Sequence, residues 1–524
     1  MIKDLGDFQT PLHLAQTVVE CLGPIGKVWP RVLEPTCGRG SFIEALISSE
    51  VPPAEIQGIE IQDSHWEVAR QIAERPSQTH VILRKANLFD LDLRQDLKWN
   101  TFGPLLVIGN PPWITNSELG AIGSQNVPRK SNLKGLRGID ALTGSSNFDI
   151  AEFIWLKLIR ELGKEQPTIA LLCKTSVARS VLKFAYSARL PVVKASIRRL
   201  DAKKWFGAAV DACLFCMSLG SGKHRYEAEV YPNLHASIPE SVFGIVHNQP
   251  IADMDAYKES AFADGICPMT WRQGIKHDAA SVMELTRRSG SYRNKIGEIV
   301  NVEEQYIYPL VKSSDLFHDS CKTPRLSVIV TQRILGMDTR QLQWVAPRLW
   351  DYLCSHAKMF EKRRSSIYRN QPAFALFGIG DYSFSQYKVA IAGLYKTARF
   401  RAIGPVAGKP VLLDDTCYLL ACASPEQAAL LVSLLNNPLC LNFLSSMVFW
   451  DSKRPVTKNL LQRINLRAIL DRANKDTLLS SMNTELERLG ASPIQEKGGS
   501  NPSWEELLFQ HAPKEEGFVE FLFK

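Results

Sequence analysis

The chain has 524 residues, 45% of them hydrophobic and 22% charged, enough for two or three domains with real cores. A net charge of +8 admits a polyanionic partner without requiring one. No run approaches 18 uninterrupted apolar residues, and the start "MIKDLGDFQTP" lacks an apolar stretch, so neither a membrane span nor a signal peptide is expected.

Through the first 220 or so residues short apolar runs alternate with helical patterns, the mark of a doubly wound, mostly parallel sheet. "RVLEP" reads as a strand and "GSFIEALISS" as the helix after it. "EIQGIEI" then leads into the helix "SHWEVARQIAER". "HVILRKANL" and "PLLVIGN" are the third and fourth strands. "FDIAEFIWLKLIRELG" is a helix ending on Gly163, and "TIALLCK", "PVVKASIRRL" and "ACLFCMSL" complete the set. Between Trp113 and Phe148 lies a Gly-, Ser- and Asn-rich insert carrying Arg129, Lys130, Lys134 and Arg137, long enough to be a binding loop or a solvated excursion.

The pattern fades over 221–270, read as a connector. Residues 271–470 mix strand-like runs with basic and aromatic clusters ("KMFEKRRSSIYRN", "YKVAIAGLYKTARFRAI", "FWDSKRPVTKN"), the texture of a separate α+β domain. The run "AALLVSLLNNPLCLNFLSSMVFW" is broken by Asn436, Asn437 and Pro438. Over 471–524 a helical stretch, a Gly/Ser/Pro linker and the tail "WEELLFQHAPKEEGFVEFLFK" follow, and the tail reads equally as a docking segment for a partner or as a helix folded back on its own domain.

Eleven scattered cysteines suit a reducing, cytoplasmic setting. Cys213 and Cys216 form a C-x-x-C with no second pair at zinc-site spacing, so they read as a buried strand and no metal is expected.

"VLEPTCGRGSF" sets Glu34 at a strand end, with Cys37, Gly38 and Gly40 before a helix. Glu60 ends the next strand, where a carboxylate accepts hydrogen bonds from ribose hydroxyls. A nicotinamide fold wants a third glycine where Ile43 stands, and Glu34 would repel its pyrophosphate. Glu34 suits instead a ligand with ribose and positive charge but no phosphate, which describes S-adenosyl-L-methionine. In "VIGNPPWIT", Pro111 and Pro112 lack N–H groups and fix φ, so the strand ends with Asn110 held rigid. The Asn110 side-chain oxygen and the Pro111 carbonyl form an acceptor pair for a flat exocyclic amine, with Trp113 as a stacking plane. Such a base lies inside a duplex unless flipped out.

With these residues in order, the chain resembles the gamma-class, TaqI-type adenine-specific DNA methyltransferases of restriction–modification systems. The resemblance implies a Rossmann-like S-adenosyl-L-methionine-binding catalytic domain over 1–220, followed by a DNA target-recognition domain over 271–470. It matches "FQTP" (Phe8, Thr10, Pro11) to a cofactor-holding segment before the first strand, "EPTCGRGSF" to the first cofactor motif, and "IEI" (Glu60, Ile61) to the second. The third motif usually holds an Asp; here Asn87 and Leu88 stand in "ANLF", with Asp90 as a substitute acceptor. "NPPW" matches the catalytic motif, and "KKWFGAAVDACLF" a later motif whose Phe closes over the flipped base. That Phe is Phe206, with Trp205 as competitor and Gly207 where a Pro is usual.

The expected activity is therefore methylation of the N6 amine of a flipped adenine in a specific double-stranded DNA sequence. Cytosine-N4 methylation, an RNA or protein-glutamine substrate, and a non-catalytic DNA-binding subunit of a defence system remain as alternatives. Besides the insert's cations, Lys388, Lys396, Arg399, Arg401, Lys453, Arg454 and Lys458 are candidates for phosphate contacts. A nuclease or other defence subunit is a conceivable partner of the tail.

Overall fold

The computed structural model describes residues 8–115, 149–452, 454–494 and 503–510, and the chain divides into two compact units, Met1–Asp255 and Ala256–Lys524. In the first unit all seven predicted strands form: β1 (Arg31–Glu34), β2 (Glu55–Glu60), β3 (His80–Lys85), β4 (Leu105–Gly109), β5 (Thr168–Lys174), β6 (Val192–Asp201) and β7 (Asp211–Leu219). The helices before and between them include α1 (Leu12–Leu22), α2 (Ser41–Ile47), α3 (Asp63–Ala73), α4 (Ile150–Leu162), α5 (Thr175–Ser187) and α6 (Ala202–Phe206). Helices α1, α5 and α6 have no counterpart among the predicted elements.

β1 to β5 run parallel in the order β3-β2-β1-β4-β5. β7 then inserts antiparallel between β5 and β6. Every residue of β2 and β4 is buried, because helices cover both faces of a parallel sheet. After the edge strand β3 the chain returns to the other side of β1 to form β4. The carboxyl ends of β1 and β4 thus flank the topological switch point, where ligands of open α/β sheets bind.

Residues 221–270 are not a connector. Three strands, β8 (Ala228–Tyr231), β9 (Ser241–Val246) and β10 (Gln249–Ile251), extend the sheet to ten by pairing on the free edge of β6. They are only three to six residues long, too short for a periodic pattern to stand out. Cys213 and Cys216 lie on β7, and no group of three metal-ligating residues occurs among the described residues.

The second unit is α+β. A four-stranded sheet joins β11 (Arg272–Gln273), β17 (Tyr387–Ala392), β18 (Phe400–Ile403) and β20 (Cys417–Cys422) in the order β11-β20-β17-β18. A six-stranded sheet holds β12 (Glu284–Arg288), β13 (Ser291–Asn294), β14 (Ile299–Val300), β15 (Ile307–Val311), β16 (Leu326–Ile329) and β19 (Leu412–Leu413). The apolar run at 428–450 is two helices, α7 (Pro425–Leu435) and α8 (Pro438–Met447), bent by 58° where Asn437 caps the second, its side chain accepting from the Leu439 N–H, and Pro438 starts it. No single helix among the described residues is long and apolar enough to cross a membrane. The predicted helical stretch is α9 (Lys475–Leu489).

Of the tail, α10 (Trp504–Phe509) is described, and it folds back on α7. Leu507 and Leu508 are buried, and the Gln427 Nε2 donates to the Leu507 carbonyl at 3.0 Å and the Gln510 carbonyl at 2.7 Å. Of the two readings of the tail, the helix folded back on its own domain describes α10. The segment "FVEFLFK" lies outside the described residues.

Candidate functional site

At the switch point lies a cavity of 340 Å³, a normal size for a cofactor site. Its wall gathers Phe8, Thr10, Glu34, Cys37, Gly38, Glu60, Ile61, Asn87, Leu88 and Asn110, residues drawn from five separate segments of the sequence. The left-handed Gly38 (φ +54°) turns the chain after β1, and a Cβ there would stand 2.8 Å from the Gln9 side-chain oxygen. That oxygen accepts from the Arg39 N–H at 3.1 Å, so the "FQTP" segment closes over the first loop. Glu60 accepts from the Gly38 N–H at 2.8 Å and the Gln62 N–H at 2.7 Å, which fixes its carboxylate at the rim with a lone pair left on each oxygen.

Glu34 is 2% exposed, and its Oε2 has no hydrogen-bond partner. Burial, then the charge of Glu60, pushes its carboxyl well above the ordinary value. The same two causes, burial first and then the acidic pair, drive the Cys37 thiol upward, so it is inert as a thiolate. A buried carboxylate without a cation costs stability unless a ligand brings one. Two further orphaned buried oxygens belong to cavity residues, Thr36 Oγ1 and Asn110 Oδ1. Together they provide acceptors and negative charge, complementary to a ligand rich in N–H and O–H donors with positive charge. An ammonium, a sulfonium and a ribose meet that description.

Two expected cofactor residues do not line the cavity. Pro11 is exposed and caps α1. Gly40 (φ +83°) serves packing: a Cβ there would meet the Ala69 backbone and side chain at 3.2 Å, so it lets α2 and α3 approach. Asn87 lines the wall, but its side chain also braces the loop, donating to Asp90 at 2.9 Å and accepting from the Phe89 N–H at 3.1 Å. Ile114, Ile150 and Ile154 also line the cavity, the last two from α4 beyond the insert. Helical periodicity put them on a buried face, but only the fold brings that face to the site.

Asn110 follows β4 with its amide orientation set: Nδ2 donates to the Phe8 carbonyl at 3.0 Å and to Thr10 Oγ1 at 3.2 Å, leaving Oδ1 as acceptor. Pro112 lines the cavity and Pro111 is buried beside it. Trp113 is 5% exposed, and its indole N–H donates to the Leu172 carbonyl at 3.3 Å. Its ring meets Phe206 edge-on at 5.1 Å and Phe8 at 5.6 Å. Phe206, rather than Trp205, joins this cluster; Trp205 packs against His13 at 5.9 Å. Gly207, the departure from the family pattern, ends α6 at φ +66°, a conformation closed to proline.

The expected phosphate contacts sort by burial. Lys396, Arg399 and Lys458 are exposed and Arg454 is partly so. Lys388 is not available to DNA: it is 1% exposed on the central strand β17 and donates to the Ser385 carbonyl. Nor is Arg401, which is 7% exposed and pairs with Asp319 at 3.0 Å. Arg129, Lys130, Lys134, Arg137 and Lys453 lie outside the described residues. Four other cations, Lys358, Lys362, Arg364 and Arg369, are exposed within twelve residues, and none forms an ion pair among the described residues. The signal was the "KMFEKRRSSIYRN" cluster itself.

No family model matches the chain. It is 38% identical over 472 residues to the type II methyltransferase M.NspV of Nostoc sp., a match spanning 89% of this chain and 97% of that protein. A stretch of 113 residues, 22% of this chain and 26% of the relative, is 33% identical to the type II methyltransferase M.CvrRI of Paramecium bursaria Chlorella virus XZ-6E. Among solved structures, the type IIL restriction–modification enzyme MmeI, in complex with DNA, shares the fold with a TM-score of 0.53 and 12% identity. That match covers 95% of this chain and 74% of MmeI.

Proposed function

This chain belongs to the type II DNA methyltransferases of restriction–modification systems, with S-adenosyl-L-methionine as cofactor, and we propose that it methylates the N6 amine of an adenine flipped out of a specific duplex sequence. The observation that carries the reading is the orphaned Asn110 Oδ1, oriented by two hydrogen bonds on its own amide nitrogen and set beside an aromatic cluster at the cofactor cavity.

S-adenosyl-L-methionine, when bound, supplies an electrophilic methyl group. Glu34 would meet its positive charge, and Glu60 would accept from its ribose hydroxyls. Asn110 Oδ1 and the Pro111 carbonyl would accept the two amine hydrogens of the base and draw the nitrogen lone pair out of the ring; as that nitrogen takes the methyl and the methyl–sulfur bond breaks, one amine hydrogen leaves as a proton to solvent. Alignment of the two reactants, rather than acid–base chemistry, supplies most of the acceleration. Trp113 and Phe206 hold the base. The second unit acts as the target-recognition domain, with Lys358, Lys362, Arg364, Arg369, Lys396, Arg399, Arg454 and Lys458 meeting phosphates that position the duplex.

The test is nucleoside mass spectrometry of unmethylated duplex DNA incubated with the protein and S-adenosyl-L-methionine, with Asn110→Ala in parallel. N6-methyladenine from the wild type alone is the expected result. N4-methylcytosine would retain the site chemistry and correct the base. Absence of both, with cofactor bound, would overturn the reading in favour of an RNA or protein substrate.

A further inference from the structure

The three rings Phe8, Trp113 and Phe206 stand at the corners of a nearly equilateral triangle, with centroids 5.1, 5.6 and 5.7 Å apart. Trp113 and Phe206 are inclined at 78°, so their faces open a notch rather than a slot. A base lying between two parallel aromatic faces needs them about 7 Å apart, the sum of two stacking distances, and 5.1 Å edge-on leaves no such gap. The notch is filled by the Phe8 ring, tilted at 51° to Trp113 and 52° to Phe206. Phe8 is therefore more than the cofactor-wall residue the sequence indicated.

We propose that the Phe8 ring is a stand-in for the target base: it occupies the notch until a flipped base displaces it, and so sets the cost of admitting one. The proposal rests on the reading of Trp113 and Phe206 as the pair that holds the base. The Phe8 backbone is fixed, because its carbonyl accepts from the same Asn110 amide that presents Oδ1 to the amine. The ring is half-buried and packs against the core around Trp113, and the stand-in role requires it to change rotamer about Cα–Cβ while that bond persists. Asn110 thus stays oriented whether the ring is in or out. A filled notch keeps water off Trp113, and a base gains admission only by packing against the two rings as well as Phe8 does. That penalises bases the recognition domain has not already loosened. Phe8 is a positioning and selectivity residue in this account, since it leaves the slot before the amine meets Asn110.

The test is a size series at position 8, Phe8→Trp, Phe8→Leu and Phe8→Ala, assayed on unmethylated bacteriophage DNA at saturating S-adenosyl-L-methionine, with melting temperature recorded for each variant. A displaceable stand-in makes KM for DNA track ring size. It should rise for Trp, fall for Leu and fall further for Ala, by about three- to tenfold between Phe and Ala, with kcat changing less. A KM that rises on truncation would make Phe8 a permanent wall of the slot and overturn the proposal. A flat KM, with or without a lower melting temperature, would make it a packing residue and overturn it equally. If the wild type places no methyl group on adenine, the reading of the reaction fails before any variant is compared. If it methylates and the series is flat or inverted, only the role of Phe8 fails.

Discussion

Two glutamates, Glu34 in the first unit and Glu284 in the second, are each 2% exposed and have opposite fates. Glu34 has an orphaned oxygen, and burial and then Glu60 push its carboxyl far up. Glu284 feels the same burial, yet hydrogen bonds from His277, Lys295 and Lys312 outweigh it and hold the carboxyl at about 2. Glu284 Oε2, like Glu34 Oε2, has no well-oriented hydrogen bond, but the Lys295 ammonium stands 2.8 Å from it and the Lys312 ammonium 2.6 Å from Oε1, whereas Glu34 has no cation beside it in any ion pair among the described residues. A buried charge supplied with partners is a structural device. One left without them in a cavity is a candidate for ligand binding. The comparison separates a site from a scaffold without reference to sequence.

The largest effect expected from breaking that contrast is on the ligand. Glu34→Gln should weaken S-adenosyl-L-methionine binding by about 10- to 100-fold in calorimetry, the loss of one charge-assisted interaction. The same change should raise the melting temperature of the cofactor-free protein by about 2–4 °C, because an unpartnered buried charge is gone. Unaltered affinity would remove Glu34 from the site. Glu284→Gln should do the reverse: about 2–4 kcal/mol of stability lost in denaturant titration, with cofactor affinity retained.

pH sharpens the contrast. The depressed Glu284 contributes stability that is complete above its ordinary value of 4.5 and disappears as pH falls toward about 2. Glu34 is raised, so the cofactor-free folded state binds a proton more tightly than the unfolded one. Its contribution favours folding in acid and is lost as pH rises from 4.5 through its higher folded value. The stability gained by Glu34→Gln should thus grow as pH rises above 4.5, and the deficit of Glu284→Gln should shrink below pH 4.5. Parallel pH curves for wild type and variants would contradict both assignments.

Smaller effects belong to the solvated charges. Replacing Lys358, Lys362, Arg364 and Arg369 together by Ala should raise KM for DNA and lower the slope of log affinity against log salt by about 1 for each phosphate no longer neutralised. kcat at saturating DNA should hold. A salt slope that does not move would place the duplex elsewhere. Smallest is Gly40→Ala, where helix crowding and a positive φ should cost about 1–2 kcal/mol without changing cofactor affinity, because Gly40 stands outside the cavity.

The sequence determined whatever is written locally. Seven strands and three helices of the first unit were legible, most plainly β1, β2, β4 and β5, parallel strands whose burial on both faces reads as continuous apolar runs, and the helices between strands, which have 3.6-residue periodicity. The order of Glu34, Glu60 and "NPPW" was legible because a strand end, a glycine turn and a proline pair are short-range features. Tertiary structure alone decided what depends on long-range placement. It drew β8 to β10 onto a free sheet edge that no short pattern marks, and it buried Lys388 and Arg401 while leaving Lys362 and Arg364 in water, although all four lie in similar basic–aromatic runs. It also brought residues 8, 113 and 206 to one notch and left one oxygen each of Glu34, Thr36 and Asn110 without a hydrogen-bond partner. Burial and partnership depend on neighbours distant in the chain, and for this protein they distinguish a charge that binds from a charge that braces.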